Sequence, residues 1–315
     1  MATAYIFPGQ GSQTVGMGKA LADEFAVARA VFDAVDAALG EKLSRTVFEG
    51  PEAELTLTAN AQPALMAVSI AALRVLESEA GLNLAKSAKF VAGHSLGEYS
   101  ALCAAGALSI ENAARLLRLR GAAMQAAVPV GDGAMAALIG VELAGAKAIA
   151  EEAADAIGAV CQVANDNGGG QVVLSGAKAA VEKAMEISKG HGVKRAVPLP
   201  VSAPFHCALM QPAADAMREA LAGAPIARPV VPVVANFTAA PVEEQEDIRR
   251  LLVEQVTGAV RWRESVLFMA QAGVMKFVEC GAGKVLAGLL KRIDPKVSGM
   301  SVGAPADLEA YRAYV

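Results

Sequence analysis

The stretch Val91-Ala92-Gly93-His94-Ser95-Leu96-Gly97-Glu98 carries the spacing Gly-x-Ser-x-Gly. An apolar run, Lys89 to Ala92, precedes it, and a helix-like run, Glu98 to Ala105, follows. A strand turning sharply into a helix pushes one side chain out of the turn, and flanking glycines let the neighbouring backbone pass without clash. Ser95 would also stand at a helix N-terminus, where free N–H groups and the helix dipole favour developing negative charge. The context predicts a nucleophilic serine with part of an oxyanion hole built in. The plainer alternative is a chance spacing in a chain with 30 glycines, Ser95 being only a helix cap.

The segments on both sides of this stretch alternate between strand-like and helix-like patterns. Ala4–Phe7 reads as a strand and Pro8-Gly9-Gln10-Gly11-Ser12-Gln13 as a loop. Helices are expected around Gly18–Leu39 and Pro63–Glu79, the second with proline in its first turn. Strand 89–92, the Ser95 turn and a helix from Ser109 follow. This is α/β order with a parallel sheet. The pattern changes at Pro129-Val130-Gly131-Asp132-Gly133. Beyond it come strand 134–139, helix 142–156, strands 159–164 and 171–175, helix 178–189 and strand 193–199. That β-α-β-β-α-β order is ferredoxin-like and fits a small inserted domain over 129–199. Asn165-Asp166-Asn167-Gly168-Gly169-Gly170 reads as the polar connection between its middle strands. Residues 1–128 and 200–315 then form the large domain, with further strands at 230–235 and 276–279 and helices over 243–255, 263–272 and 285–293.

Composition narrows the class. The chain has 315 residues, 54% of them hydrophobic, enough for a large core. A net charge of −4 and no basic block argue against nucleic acid as a partner. Thr3–Phe7 already reads as a strand with no basic region ahead, so no export signal is expected. The most apolar stretch, Pro63 to Leu73, reads as too short to span a membrane. Cys103, Cys161, Cys207 and Cys280 show neither metal-ligand nor disulfide spacing. A reduced, cytoplasmic, monomeric enzyme without metal or organic cofactor is expected.

A serine hydroxyl needs a base within hydrogen-bond reach. There are three histidines. His94 lies in the turn itself and should point away from Ser95. His191, in Lys189-Gly190-His191-Gly192, reads as a surface turn residue. His206, in Val201-Ser202-Ala203-Pro204-Phe205-His206-Cys207, follows a strand and a proline-restricted loop, a usual place for site residues in α/β folds. Elimination favours His206 as base, with a merely packed histidine as the alternative. Arg120 falls in the apolar stripe formed by Ala113, Leu116, Leu117, Met124 and Ala127, whereas Arg115 and Arg118 fall on the solvated side. A guanidinium on an apolar face needs a partner: either a buried Asp or Glu, or a substrate carboxylate gripped by its planar fork. Gln10 stands in a glycine-flanked loop at the end of the first strand, where its backbone N–H could complete an oxyanion hole, or where the loop is simply a turn. The loop lacks the Lys-Ser/Thr ending of a P-loop.

Together these residues resemble the malonyl-CoA:acyl-carrier-protein transacylases of fatty-acid synthesis. The resemblance runs through Phe7–Gln13, Gln62–Ala64, Gly93–Leu102, Leu119–Gly121 with Met124-Gln125, Pro204–Met210 and Gly281–Leu286. It implies an α/β-hydrolase-like large domain with the ferredoxin-like insert. It also implies ping-pong transfer of malonyl from malonyl-CoA to acyl carrier protein through Ser95, with His206 as base and Arg120 on the malonyl carboxylate. The backbone N–H groups of Gln10 and Leu96 would form the oxyanion hole. By the same resemblance the backbone carbonyl of Gln255 would orient His206. Ala282 departs from the proline usual there, which should alter loop stiffness more than chemistry. Phe205 stands at a position that tunes acyl choice, and its ring should disfavour an α-methyl branch, giving malonyl over methylmalonyl. Equal rates with the two CoA esters would sink that expectation. Asn165 and Asn167 are candidates for polar contacts at the cleft, beside the plainer role of a turn. Lys189, Lys194 and Arg195, or Lys284, Lys291 and Arg292, are candidate docking cations for the carrier protein. Two other readings stay open. A serine hydrolase would use the same Ser95–His206 pair, although Asp132, Asp155 and Asp166 are poorly placed as a triad acid and Arg120 would lack a purpose. A non-catalytic carrier-protein-binding subunit would form no acyl-enzyme.

Overall fold

The computed structural model describes residues 2–315. Strand β1 (Ala2–Phe7) leads through the glycine loop to α1 (Lys19–Glu24) and α2 (Ala26–Leu39). These replace the single helix expected there, because Phe25 is extended, φ −118 and ψ 120, and caps both. Two short helices, α3 (Leu43–Glu49) and α4 (Glu52–Thr56), precede α5 (Thr58–Glu79). Pro63 lies inside α5 rather than in its first turn; it is buried with Gln62 and Ala64, and their packing outweighs the lost N–H. With 22 residues, α5 is long and apolar enough to cross a membrane, which corrects the reading of that stretch as too short. It is instead a core helix, 83% buried in its apolar window and packed against α2, α7 (Gly97–Ala104) and α8 (Ile110–Ala126), with the single turn α6 (Leu84–Ser87) following it in the chain. Between α6 and α7 runs β2 (Ala88–Gly93).

The second part of the chain adds β3 (Gly133–Ile139), α9 (Leu143–Ile157), β4 (Cys161–Gly168), β5 (Gln171–Ala177), α10 (Lys178–Ile187) and β6 (Arg195–Pro198). The chain closes with α11 (Gln211–Gly223), β7 (Val233–Ala235), β8 (Ala240–Val242), α12 (Gln245–Thr257), α13 (Trp262–Gln271), β9 (Val274–Cys280), α14 (Val285–Ile293), β10 (Ser298–Val302) and α15 (Asp307–Tyr314).

The larger sheet has the order β10-β9-β1-β2-β7-β8, parallel except for the β7–β8 pair. Its central strand is buried on both faces: Tyr5 and Phe7 join one core cluster, Ala4 and Ile6 the other. The register pairs Phe7 with Gly93, and the His94 N–H donates to the Phe7 carbonyl at 3.0 Å. The glycine loop after β1 and the turn after β2 therefore lie side by side at the carboxyl edge of the sheet, where open α/β sheets bind ligands.

The smaller sheet is antiparallel with the order β4-β5-β3-β6, and α9 and α10 cover one face over their own core. This is the ferredoxin-like subdomain of an α/β protein with two subdomains. One local expectation is corrected: Asn165, Asp166 and Asn167 belong to strand β4, not to a loop. Beyond Val163 the register with β5 shifts, and the strand turns towards the larger subdomain. The Asp166 N–H donates to the Val260 carbonyl at 3.0 Å, and the Val260 N–H to the Ala164 carbonyl at 2.8 Å. The Asp166 carboxylate bonds Arg263 at 2.8 Å. Polar side chains sit in this strand because it joins two subdomains instead of facing one core.

Candidate active site

Ser95 occupies the turn between β2 and α7 with φ 53, a left-handed conformation rare for a non-glycine residue. The flanking glycines are required by contact. A Cβ at Gly93 would stand 1.9 Å from the Gly97 carbonyl oxygen, and one at Gly97 2.3 Å from the Phe7 carbonyl oxygen. Asn236, just after β7, holds the turn from outside. Its Oδ1 accepts the Ser95 N–H at 2.7 Å, and its Nδ2 donates to the Gly93 carbonyl at 2.7 Å.

The Ser95 hydroxyl lies 2.8 Å from His206 Nε2. His206 is also left-handed, with φ 59, and it is buried. Its Nδ1–H donates to the Gln255 backbone carbonyl at 2.9 Å, which leaves the Nε2 lone pair facing the hydroxyl. Burial, and next the charge of Arg120, push the imidazole down to about 3. The ring therefore stays neutral in the resting protein.

Arg120 is 1% exposed, the most consequential burial in the site. Among the described residues no carboxylate pairs with it, so the alternative of an internal ion pair is not met. Its fork meets neutral oxygens instead: Gln62 Oε1 at 2.9 Å, Gln255 Oε1 at 2.8 Å and Ser95 Oγ at 3.1 Å. The Tyr99 ring lies 5.7 Å from the guanidinium carbon. Burial holds the guanidinium below its ordinary range.

These groups border a cavity of about 420 Å³ at the carboxyl edge of the larger sheet. Gln10, Leu96, Asn165 and Phe205 border it too. Neither the Gln10 nor the Leu96 N–H donates a hydrogen bond to another group among the described residues. Phe205 forms part of the apolar wall with Met124, Met135 and Val201. Asn165 is supplied across the subdomain boundary by β4. His94 turns to Asn167, with Nε2 and Oδ1 at 3.0 Å, and packs by Trp262. His191 is exposed and bonds Glu152, as a surface histidine would. Ala282 is buried between Gly281 and Gly283, both left-handed. Lys189, Lys194 and Arg195 share a surface groove of the smaller subdomain, and Arg292 bonds the Gly169 carbonyl at 3.0 Å. All four cysteines are free and buried.

Sequence reasoning assigned no role to Gln62, Glu98 or Asn236. Glu98 is buried, and its Oε2 accepts the Asn236 N–H at 2.9 Å and Gln255 Nε2 at 2.7 Å. Two of the three gave a faint signal: Gln62 immediately precedes, and Glu98 opens, a stretch that otherwise reads as apolar helix.

The Acyl transferase domain family matches residues 4–302. The malonyl CoA-acyl carrier protein transacylase of Bacillus subtilis (strain 168) is 45% identical over 97% of this chain and 95% of its own length. The crystal structure of the acyl-carrier-protein S-malonyltransferase from Bartonella henselae superposes with a TM-score of 0.95 at 56% identity, covering 99% of this chain and 98% of that one. A malonyl-transacylase solved in complex with a type II polyketide-synthase acyl-carrier protein gives 0.95 at 43% identity, over 99% of this chain and 100% of that one. The chain belongs to the malonyl CoA-acyl carrier protein transacylase family of acyl transferase domains.

Proposed function

We propose that this protein moves a malonyl group from malonyl-CoA to the phosphopantetheine thiol of acyl carrier protein, feeding fatty-acid synthesis, through a malonyl ester of Ser95. The observation that carries the reading is a buried guanidinium with no carboxylate partner among the described residues, 3.1 Å from a hydroxyl that itself lies 2.8 Å from an imidazole. An uncharged acyl group leaves such a cation uncompensated, whereas a malonyl group brings its own carboxylate to the fork.

In the first half-reaction Ser95 Oγ attacks the thioester carbonyl carbon as His206 Nε2 takes its proton. The N–H groups of Leu96 and Gln10 hold the oxyanion. The carbon–sulfur bond breaks, and the CoA sulfur leaves as a thiol with the proton from His206. The acceptor thiol then gives its proton to His206 as its sulfur attacks the ester carbonyl carbon, the bond from that carbon to Ser95 Oγ breaks, and Oγ takes the proton back from His206. The Gln255 carbonyl keeps the imidazole in the productive tautomer throughout. The malonyl carboxylate has a second effect. Arg120 opposes protonation of His206, so a carboxylate that offsets its charge strengthens the base when the correct substrate is bound. Phe205 and Asn165 shape the acyl wall, and the cations named on the smaller subdomain and α14 are the docking candidates. The net charge of −4 gives nucleic acid no general electrostatic attraction.

Arg120→Ala tests the reading. Losing the partner of a desolvated carboxylate costs on the order of 3 kcal/mol, roughly a hundredfold in kcat/KM. Steady-state rates with malonyl-CoA should fall by that factor while those with acetyl-CoA hold or rise. Survival of the malonyl preference would overturn the assignment.

A further inference from the structure

Glu98 lies in the first turn of α7, 2% exposed, and among the described residues no Lys or Arg is ion-paired with it. One of its oxygens takes two N–H donors, Asn236 N and Gln255 Nε2. Gln255 Nε2 also reaches the Ser95 carbonyl at 3.0 Å, while Oε1 at the other end of the same amide accepts from Arg120 Nη2 at 2.8 Å. A carboxamide has one accepting end and one donating end. Turned over, the Gln255 amide would set a donor against Arg120 and an acceptor against Glu98. The amide is therefore fixed from both sides, and Glu98 is the fixed side, because the arginine fork must also meet the substrate.

We propose that Glu98 is a positioning residue for acyl-group selection: acting as a hydrogen-bond acceptor, it orients the Gln255 amide, which in turn aims the Arg120 fork at the acyl carboxylate. The proposal rests on the transacylase reading given above. Glu98 works here by geometry and not as a counter-charge to Arg120. Burial pushes its carboxyl up to about 7, and the two N–H donors oppose this more than the charge of Arg120 does. An acceptor oxygen at that place is what matters, and a neutral amide oxygen supplies one.

The test compares kcat/KM for malonyl-CoA and acetyl-CoA in wild type, Glu98→Gln, Glu98→Asp and Gln255→Leu. Glu98→Gln keeps the acceptor and should hold the malonyl-to-acetyl ratio within about threefold, whereas Glu98→Asp keeps the charge but falls short of Gln255 and should lower the ratio about tenfold, chiefly through the malonyl KM. Adding Glu98→Asp to Gln255→Leu should lower the ratio no further than Gln255→Leu alone, since the two act in series. Should Glu98→Asp fail to fold, Glu98→Met, of similar length and without an acceptor, takes its place with the same expected loss. Equal losses with both substrates would show a merely structural role and overturn the proposal. Loss of preference in Glu98→Gln with retention in Glu98→Asp would overturn it in favour of charge. A wild type without malonyl preference would instead overturn the transacylase reading itself.

Discussion

His206 has both ring nitrogens engaged, one by Ser95 at 2.8 Å and one by the Gln255 carbonyl at 2.9 Å, inside a site that also holds a buried cation. Burial first, and the Arg120 charge second, lower its proton affinity from 6.5 to about 3. In the proposed mechanism the neutral imidazole is the base, so a lowered value extends activity towards acid. Single-turnover acylation by malonyl-CoA should stay level from pH 8 down to about pH 5, whereas a histidine of ordinary affinity would lose about tenfold by pH 5.5. A falling limb with its midpoint near 6.5 would contradict the account. At this scale the sequence disclosed what is local. Ser95 declares itself by its turn, Arg120 by its place on a helix face, and His206 because only three histidines had to be weighed. Asn236 was hidden because its bond to Ser95 spans 141 positions, and nothing around Asn236 in the sequence marks it.

The element that presents Ser95, the proposed nucleophile, is a strand, a turn and a helix forced into contact. Gly93 has no room for a methyl group, because the obstructing atom is the backbone oxygen of Gly97 at 1.9 Å. Gly93→Ala should cost at least about 3 kcal/mol, read as a drop in the urea midpoint, and abolish acylation. Gly288→Ala is the control: its added Cβ meets nothing within 4 Å beyond its chain neighbours and its own helix backbone, it sits in α14, and it should stabilise by about 0.5–1 kcal/mol. An unchanged midpoint for Gly93→Ala would mean that the turn is not built as described. Elements with strong periodicity were legible in the sequence: β1, β2, α7, α8 and the β-α-β-β-α-β series. The short pieces were not. β8 has three residues, and β10, Ser298–Val302, lies at the sheet edge with little apolar pattern. The polar end of β4 misled because its partner is Val260, a residue of the other subdomain that no local pattern reveals.

On the scale of the whole molecule, the two subdomains meet along the cavity, and the contact passes close to the chemistry. Strand β4 bridges to Val260, in the same stretch that supplies the Gln255 carbonyl from the end of α12. Asn167 from that strand holds His94, next to Ser95. The smaller subdomain thus closes one wall and braces both the Ser95 turn and the segment whose Gln255 carbonyl bonds His206. Its existence was readable in the order of its elements, but its manner of attachment depended on contacts between residues distant in sequence. On the proposed mechanism the assembled molecule passes one acyl group through Ser95, and this is directly measurable. Intact-protein mass should be recorded after brief exposure to malonyl-CoA without acceptor, for wild type and Ser95→Ala. A single malonyl adduct on wild type alone, discharged on adding acyl carrier protein, is the result expected. No adduct, or free malonate released steadily in place of transfer, would contradict the account.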